Sequence, residues 1–311
     1  MIDVNIQLYD NKLDSIHLRM HQVRRLKELR LSKGVLNSEA LMLILNKKYK
    51  TSDGKRILFK YLDAQEDEEL MRRKETVLAY LNRSKYKDLE DLIIPEYLVQ
   101  VDNLPAGFAM PLIENHKNLG SILNSEKIPF QKKKEYLQEL GNLLDRVWRV
   151  EDLHEMVFGD LNEYNFILDK EDKLKAIDLD SSHVEGIEGI EPSTYAYYLL
   201  RNPFLKKVKD KYQTTEYGFI RPNHNTDFYS YCMIILRTLS TIPMHTVEIE
   251  TYHAYLDYLK EIGIPSDLVD IFYHLYTSKE TESPRFLLEG IEESTARKAT
   301  IIEFQKKYPS I

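Results

Sequence analysis

The chain has 311 residues, 43% hydrophobic and 30% charged, enough for a sizeable core and about two lobes. Its formal charge of −7 argues against a primary nucleic-acid or anionic-membrane binder, since such partners favour a net basic surface. Cys232 is the only cysteine, so no intrachain disulfide forms, the histidines show no zinc-type spacing, and no apolar run approaches the ~20 residues of a spanning helix; a cytoplasmic address is expected.

Residues 1–25 read as partly helical, with Ile16, Leu18, Met20 and Val23 loosely periodic. Residues 40–45 and 56–62 are apolar, β-prone runs separated by the Asp53-Gly54 turn signal, which predicts a hairpin whose second strand carries Lys60. Residues 66–81 are rich in helix formers, with apolar spacing at Leu70, Val77, Leu78 and Leu81. Strand-like runs follow at 92–101 and 106–113. The long helix expected over 130–150 has one broad apolar face built from Tyr136, Leu137, Leu140, Leu143, Leu144, Val147 and Trp148, and Trp148 belongs to the core. A second buried helix opens at Thr226 or Asp227, either of which can cap it. The last stretch begins at Phe286 and ends in a charged helix through Lys307. Nothing in the composition marks a flexible linker or a repeat.

The most specific chemistry lies in residues 157–180, where Asp160, Asn165 and Asp178 are spaced along two short strand-like runs. A loop can present Asp160 to an attacking hydroxyl while Asn165 turns toward a metal, and a hairpin can return Asp178 to the same ion, as a Mg²⁺-nucleotide site requires. Asp and Asn are also common turn formers. Read alone, Asp178-Leu179-Asp180 equally fits the D-x-D of a metal-dependent glycosyltransferase.

Gly159-Asp160-Leu161-Asn162 with Asn165, and then Asp178, resembles the protein-kinase-like superfamily, closest to bacterial members with a G-D-x-N-x-x-N loop. The resemblance implies an α+β, bilobed fold: a small β-rich N-lobe over 1–114 with one main helix and an N-terminal helical extension, and a larger, mostly helical C-lobe over 115–311. It implies ATP and Mg²⁺ as cofactors, with Asp160 as catalytic base and Asn165 and Asp178 as metal ligands. Lys60 would grip the α- and β-phosphates, with Glu75 as its carboxylate partner and Glu68 and Glu69 as competitors. Ser38, in the one-glycine loop at 31–39, would approach phosphate. Met110 would line the adenine pocket or simply pack in the core, and backbone groups around Leu112, Ile113 and Asn115 would bind adenine at the hinge, near 113–119. Two departures stand out: Phe158 replaces the usual His, and Leu179-Asp180 replaces Phe-Gly.

Later features resemble protein kinases more than other phosphotransferases. Residues 213–217, ending in Glu216-Tyr217, loosely match A-P-E; Arg285 is the expected partner of Glu216, and Asp227 the residue that anchors the catalytic-loop backbone. Ser181, Ser182, Ser193, Thr194, Tyr195, Thr214 and Thr215 are possible phosphate acceptors in an activation-like segment, with Arg201, Lys206, Lys207, Lys209 or Lys211 as partners. The implied activity is transfer of the γ-phosphoryl of ATP to a hydroxyl, with a Ser/Thr protein kinase-like enzyme first. Asn162, where Ser/Thr kinases carry Lys, favours a small-molecule kinase of the aminoglycoside or choline type. Phe158, Asp180 and the glycine-poor loop favour a pseudokinase binding module.

Overall fold

The computed structural model describes residues 6–7, 13–23, 41–44, 57–61, 68–113, 115–149, 156–184, 211–212, 220–239, 249–276, 283–288 and 301–308. The chain is of the mixed α+β class, and contacts divide it into two units. The first comprises residues 1–116, 169–171 and 175–190, and the second 117–168, 172–174 and 191–311. Residues 175–190, expected with the second lobe, thus belong to the first unit. The backbone explains why: Ala176 N donates to Asp91 O at 2.7 Å and Ile93 N to Ala176 O at 2.9 Å.

The first unit is built on a six-stranded sheet of β1 (Ile6–Gln7), β2 (Asp14–Leu18), β3 (Leu41–Ile44), β4 (Ile57–Tyr61), β5 (Tyr97–Val101) and β6 (Leu104–Pro111), in the order β1-β2-β5-β6-β4-β3. The β3–β4 pairing matches the expected hairpin partners, with Met42 opposite Lys60. The helical reading of 1–25 is corrected by β2, which runs parallel to β5 from Asp14–Tyr97 to Leu18–Val101. Its partner lies far along the chain, so nothing local in the sequence announces the pairing, and only a helical turn at 20–23 follows it. The strand expected over 92–101 starts only at Tyr97, because Pro95 cannot donate to a ladder. β5 and β6 join through Asp102 and Asn103, whose φ values of 50° and 68° make a two-residue hairpin turn.

Strand periodicity sets what each sheet face carries. Phe59 joins the main core with Ile16, Leu18, Val99, Val101 and Ala109. Leu58 turns the other way, packing with Ile93 and Met110, and Lys60, two residues on, shares its side. Gly107 lets β6 come close to β4: a Cβ there would lie 2.0 Å from the Lys60 carbonyl oxygen, and its φ is +145°. Gly107→Ala should therefore cost about 3 kcal/mol or more. A urea midpoint within error of wild type would contradict that.

Helix α1 (Glu68–Arg83) carries Glu68 and Glu69 in its first turn and Arg83 in its last, signs that suit the helix dipole. Its buried side is Met71, Lys74, Val77, Leu78, Ala79 and Leu81, one of them a lysine.

The second unit is mainly helical. The short strands β7 (Lys117–Asn118) and β9 (Phe166–Leu168) pair antiparallel, and β8 (Met156–Val157) leads into the 158–165 loop. Helix α2 (Leu119–Leu123) is capped by Asn118, whose side chain accepts from Ser121 N. Helix α3 (Phe130–Trp148) buries Tyr136, Leu137, Leu140, Leu143, Leu144 and Val147, as its spacing predicts. Trp148 is only half-buried and meets His224 edge-on at 5.9 Å. Helix α4 (His224–Leu239) is almost wholly buried. Its N-terminus corrects the expected cap. Asn223 accepts from Thr226 N at 3.2 Å and donates its own N–H to Thr226 Oγ1 at 3.0 Å, a reciprocal box that leaves Asp227 for another role. Helices α5 (Ile249–Glu261), α6 (Ser266–His274) and α7 (Ile301–Lys307) follow. No helix among the described residues is long and apolar enough to cross a membrane.

Candidate active site

In the first unit, Lys175 and Ala176 of β10 (Leu174–Ala176) deliver the chain to Asp178. Lys175 anchors this approach by donating to Glu90 O at 3.0 Å. Asp178 has φ 64° and ψ 40°, the left-handed region that Asp tolerates better than most residues, and the chain then enters a single turn at Leu179–Ser181. The turn seats both aspartates against Lys60. Lys60 Nζ donates to Asp178 Oδ1, and lies 2.9 Å from Asp180 Oδ1. The other Asp180 oxygen lies 3.2 Å from Lys74 Nζ of α1.

Two ammoniums and two carboxylates therefore share one buried place. Asp180 and Lys74 are 2% and 9% exposed at the side chain, whereas a third of the Asp178 side chain reaches solvent. Burial alone would lower the Lys60 pKa, yet the charges of Asp180 and Asp178 hold it above its ordinary value. Burial and the neighbouring Asp180 charge push the Asp178 carboxyl up to about 7. Asp180 goes the other way: burial would raise it, but Lys60, and Lys74 behind it, hold it well below the usual carboxylate range.

The expected carboxylate partner of Lys60, Glu75, is corrected by this geometry. Lys60 pairs with Asp178 and Asp180, and the α1 residue that reaches the group is Lys74, one position before Glu75. Consecutive helical residues point about 100° apart, so a one-residue difference decides which side chain faces inward. The missed signal was legible: Lys74 falls three residues after Met71 and three before Val77, a charge set in an apolar stripe.

In the second unit, Gly159, with φ 70°, turns the chain so that Asp160 N donates to Phe158 O at 2.8 Å. Asp160 Oδ2 accepts from Asn162 Nδ2 and Asn165 Nδ2, each at 3.2 Å, and Asn165 Nδ2 also donates to Asp160 O at 2.8 Å. Both Asn165 contacts use the amide nitrogen, which leaves its Oδ1 as the atom able to meet a cation. Asn162 also accepts from Tyr164 N at 3.0 Å, so its side chain is spent on holding the loop.

Helix α4 braces this loop at two points. Asp227 Oδ2 accepts from Phe158 N at 2.7 Å in a fully buried setting, and Arg237 Nη1 lies 2.7 Å from Glu163 Oε1. Phe158 is buried and meets Phe166 edge-on at 5.6 Å, so it serves the core. Glu163 is 2% exposed and Arg237 39%, so losing the arginine weakens a half-screened pair: Arg237→Ala should cost about 2 kcal/mol. Chemical denaturation checks this, and an unchanged midpoint would count against the brace.

Of the other expected site residues, Met110 is buried against Leu58 and Ile93, with the half-buried Leu112, Ile113 and Ile177 packed onto them. At the expected hinge, Ile113 O contacts His116 Nδ1 at 2.8 Å. Ser38, the residues 213–217 with Glu216, and the hydroxyls Ser193, Thr194, Tyr195, Thr214 and Thr215 lie outside the described residues. So do Arg201, Lys206, Lys207 and Lys209. Ser181 and Ser182 are described, and Ser182 is fully buried, which makes it a poor phosphate acceptor without local opening.

Among the described residues no group of three or more His, Cys, Asp or Glu could hold a metal ion. The donor chemistry nevertheless suits Mg²⁺, which takes one or two protein oxygens and completes its shell with water and phosphate: in the first unit Asp178 offers a partly exposed carboxylate. Comparison with family models and with curated proteins gives no match to the chain.

Proposed function

We propose that this chain is an ATP- and Mg²⁺-dependent phosphotransferase of protein-kinase-like fold that moves the γ-phosphoryl group to a hydroxyl. The observation that carries the reading is the Lys60–Asp178 contact: a strand lysine and the aspartate after β10, 118 residues apart, meet in one unit. A phosphate-gripping ammonium and a metal carboxylate need that adjacency. The half-buried Leu112, Ile113 and Ile177 over Met110 supply an apolar platform, suited to adenine, on the side of the sheet that carries Lys60.

In this reading Lys60 holds the phosphates, and Asp178 offers the cation a carboxylate. The chemistry a bound Mg²⁺ would supply there is stabilisation of the negative charge that develops on the transferred group. Asp160, fixed by the amides of Asn162 and Asn165, orients the acceptor hydroxyl and receives its proton at the remaining carboxylate oxygen, Oδ1. A protein Ser or Thr is the first acceptor. A small-molecule acceptor is the second reading, favoured by Asn162 standing in place of lysine.

Incubation with [γ-³²P]ATP and Mg²⁺ tests the proposal. Label on a protein supports the first acceptor, and label only on an added metabolite supports the second. No transfer to any acceptor or to water, in a folded sample, would leave a nucleotide-binding module instead.

A further inference from the structure

The D-x-D of this chain holds two aspartates that stand differently. Asp178 is a third exposed at the side chain, while Asp180 is enclosed with one oxygen 2.9 Å from Lys60 and the other 3.2 Å from Lys74. A divalent ion placed against this oxygen pair would sit against both ammoniums, which disfavours Asp180 as a metal ligand. The two acids therefore have separate tasks.

We propose that Asp180, fixed from behind by Lys74, is the positioning residue that aims Lys60 at the nucleotide phosphates. The inference rests on the phosphotransferase reading and assigns a part that reading leaves open. The bridge Lys60–Asp180–Lys74 ties β4 to α1 through the turn that follows Asp178. With Asp178 reserved for a bound cation, Asp180 would be the carboxylate that keeps the Lys60 ammonium in place. Lys74 has two effects here. It neutralises the charge that Asp180 would otherwise carry alone in a buried position, and it fixes the second oxygen so that the first faces Lys60. The helix thus supplies a cation, and the carboxylate comes from the loop after β10.

The test is ATP affinity, measured by titration calorimetry with Mg²⁺ and again in EDTA, on wild type, Asp180→Asn and Asp178→Asn, with thermal melts run on the same samples. A residue that aims Lys60 acts on phosphate with or without metal. Asp180→Asn should therefore weaken ATP binding at least tenfold in both conditions, whereas Asp178→Asn should weaken it in Mg²⁺ only. A loss confined to Mg²⁺ for Asp180→Asn would make Asp180 a metal ligand and overturn the proposal, as would unchanged affinity. If Asp180→Asn does not melt cooperatively, the double variant Lys74→Met/Asp180→Asn, which removes both charges together, replaces it with the same expectation. Wild type that binds no ATP in either condition would instead remove the phosphotransferase reading, and this inference with it.

Discussion

Replacing Asp160 with alanine is expected to lower turnover by about 10²–10⁴, which is roughly 3–5 kcal/mol of barrier, while leaving ATP affinity close to wild type. The expectation follows from where Asp160 stands. Its carboxylate is held by two side-chain amides, Asn162 and Asn165, and it belongs to a different unit from Lys60 and Asp178. Removing it takes away proton transfer and acceptor alignment without touching the Lys60 ammonium. Asn162 and Asn165 each keep a backbone acceptor at Asp160 O, at 3.4 and 2.8 Å, so the loop retains part of its bracing in the variant. Single-turnover kinetics and nucleotide titration on one preparation separate the two quantities. If affinity collapsed together with turnover, Asp160 would be a structural residue of the loop and not the base.

Asp178→Asn is expected to do two opposite things. As a metal ligand its loss should weaken Mg²⁺-dependent activity at least about tenfold to a hundredfold, since even partners behind the ligands are typically worth that much. In EDTA the same substitution should stabilise the protein at neutral and higher pH. The Asp178 carboxyl is pushed up to about 7, first by burial and then by the Asp180 charge, so the folded state binds this proton more tightly than the unfolded state does. A raised acid favours folding at low pH and loses that contribution as pH rises toward and through about 7. The ionised form is therefore the costly one, and asparagine removes it. With a third of the side chain in water, screening reduces the gain to about 1–2 kcal/mol. Asp180 has the opposite sign, contributing stability above the ordinary carboxylate range and losing it in acid, and it is retained in both proteins. Urea denaturation in EDTA should show the variant ahead of wild type at pH 8 and nearly level at pH 4. A variant less stable than wild type at pH 8 would mean that the Lys60–Asp178 pair outweighs the desolvation of the carboxylate.

Local pattern made much of the framework readable. Leu137, Leu140, Leu144 and Val147 recur at helical spacing, and α3 buries them as that spacing requires. The β-prone run around Lys60 is β4, and its alternation is enough to put Lys60 and Leu58 on one side of the sheet and Phe59 on the other. The Asp160–Asn165 spacing anticipated a loop that carries both residues, and the structure adds that their side chains meet. These features depend on neighbours within a few residues, and a sequence displays such neighbours directly.

What escaped the sequence depends on partners far along the chain. β2 is a strand because it pairs with β5, more than 80 residues away. Glu75 looked like the partner of Lys60 because an acid on a helix is the familiar complement of a buried lysine. The helix phase instead turns Lys74 inward, and the acid comes from Asp180, 120 residues beyond Lys60. The cap of α4 escaped too, since Asn223 and Thr226 close that end between them; the loop contact of Asp227 did not, because the resemblance named it as a backbone anchor and it accepts from the N–H of Phe158, 69 residues back.

The amino-acid order by itself determined which segments become helix or strand wherever periodicity is strong, and which polar residues stand close enough in the chain to share a loop. Only the tertiary structure decided which distant charges meet, that Asp178 stays partly open while Asp180 is enclosed between two lysines, and that α1 offers a cation in place of an acid. The physical reason is that charge pairing in a buried place is set by angular phase and by strands brought together over long loops, and neither quantity is local.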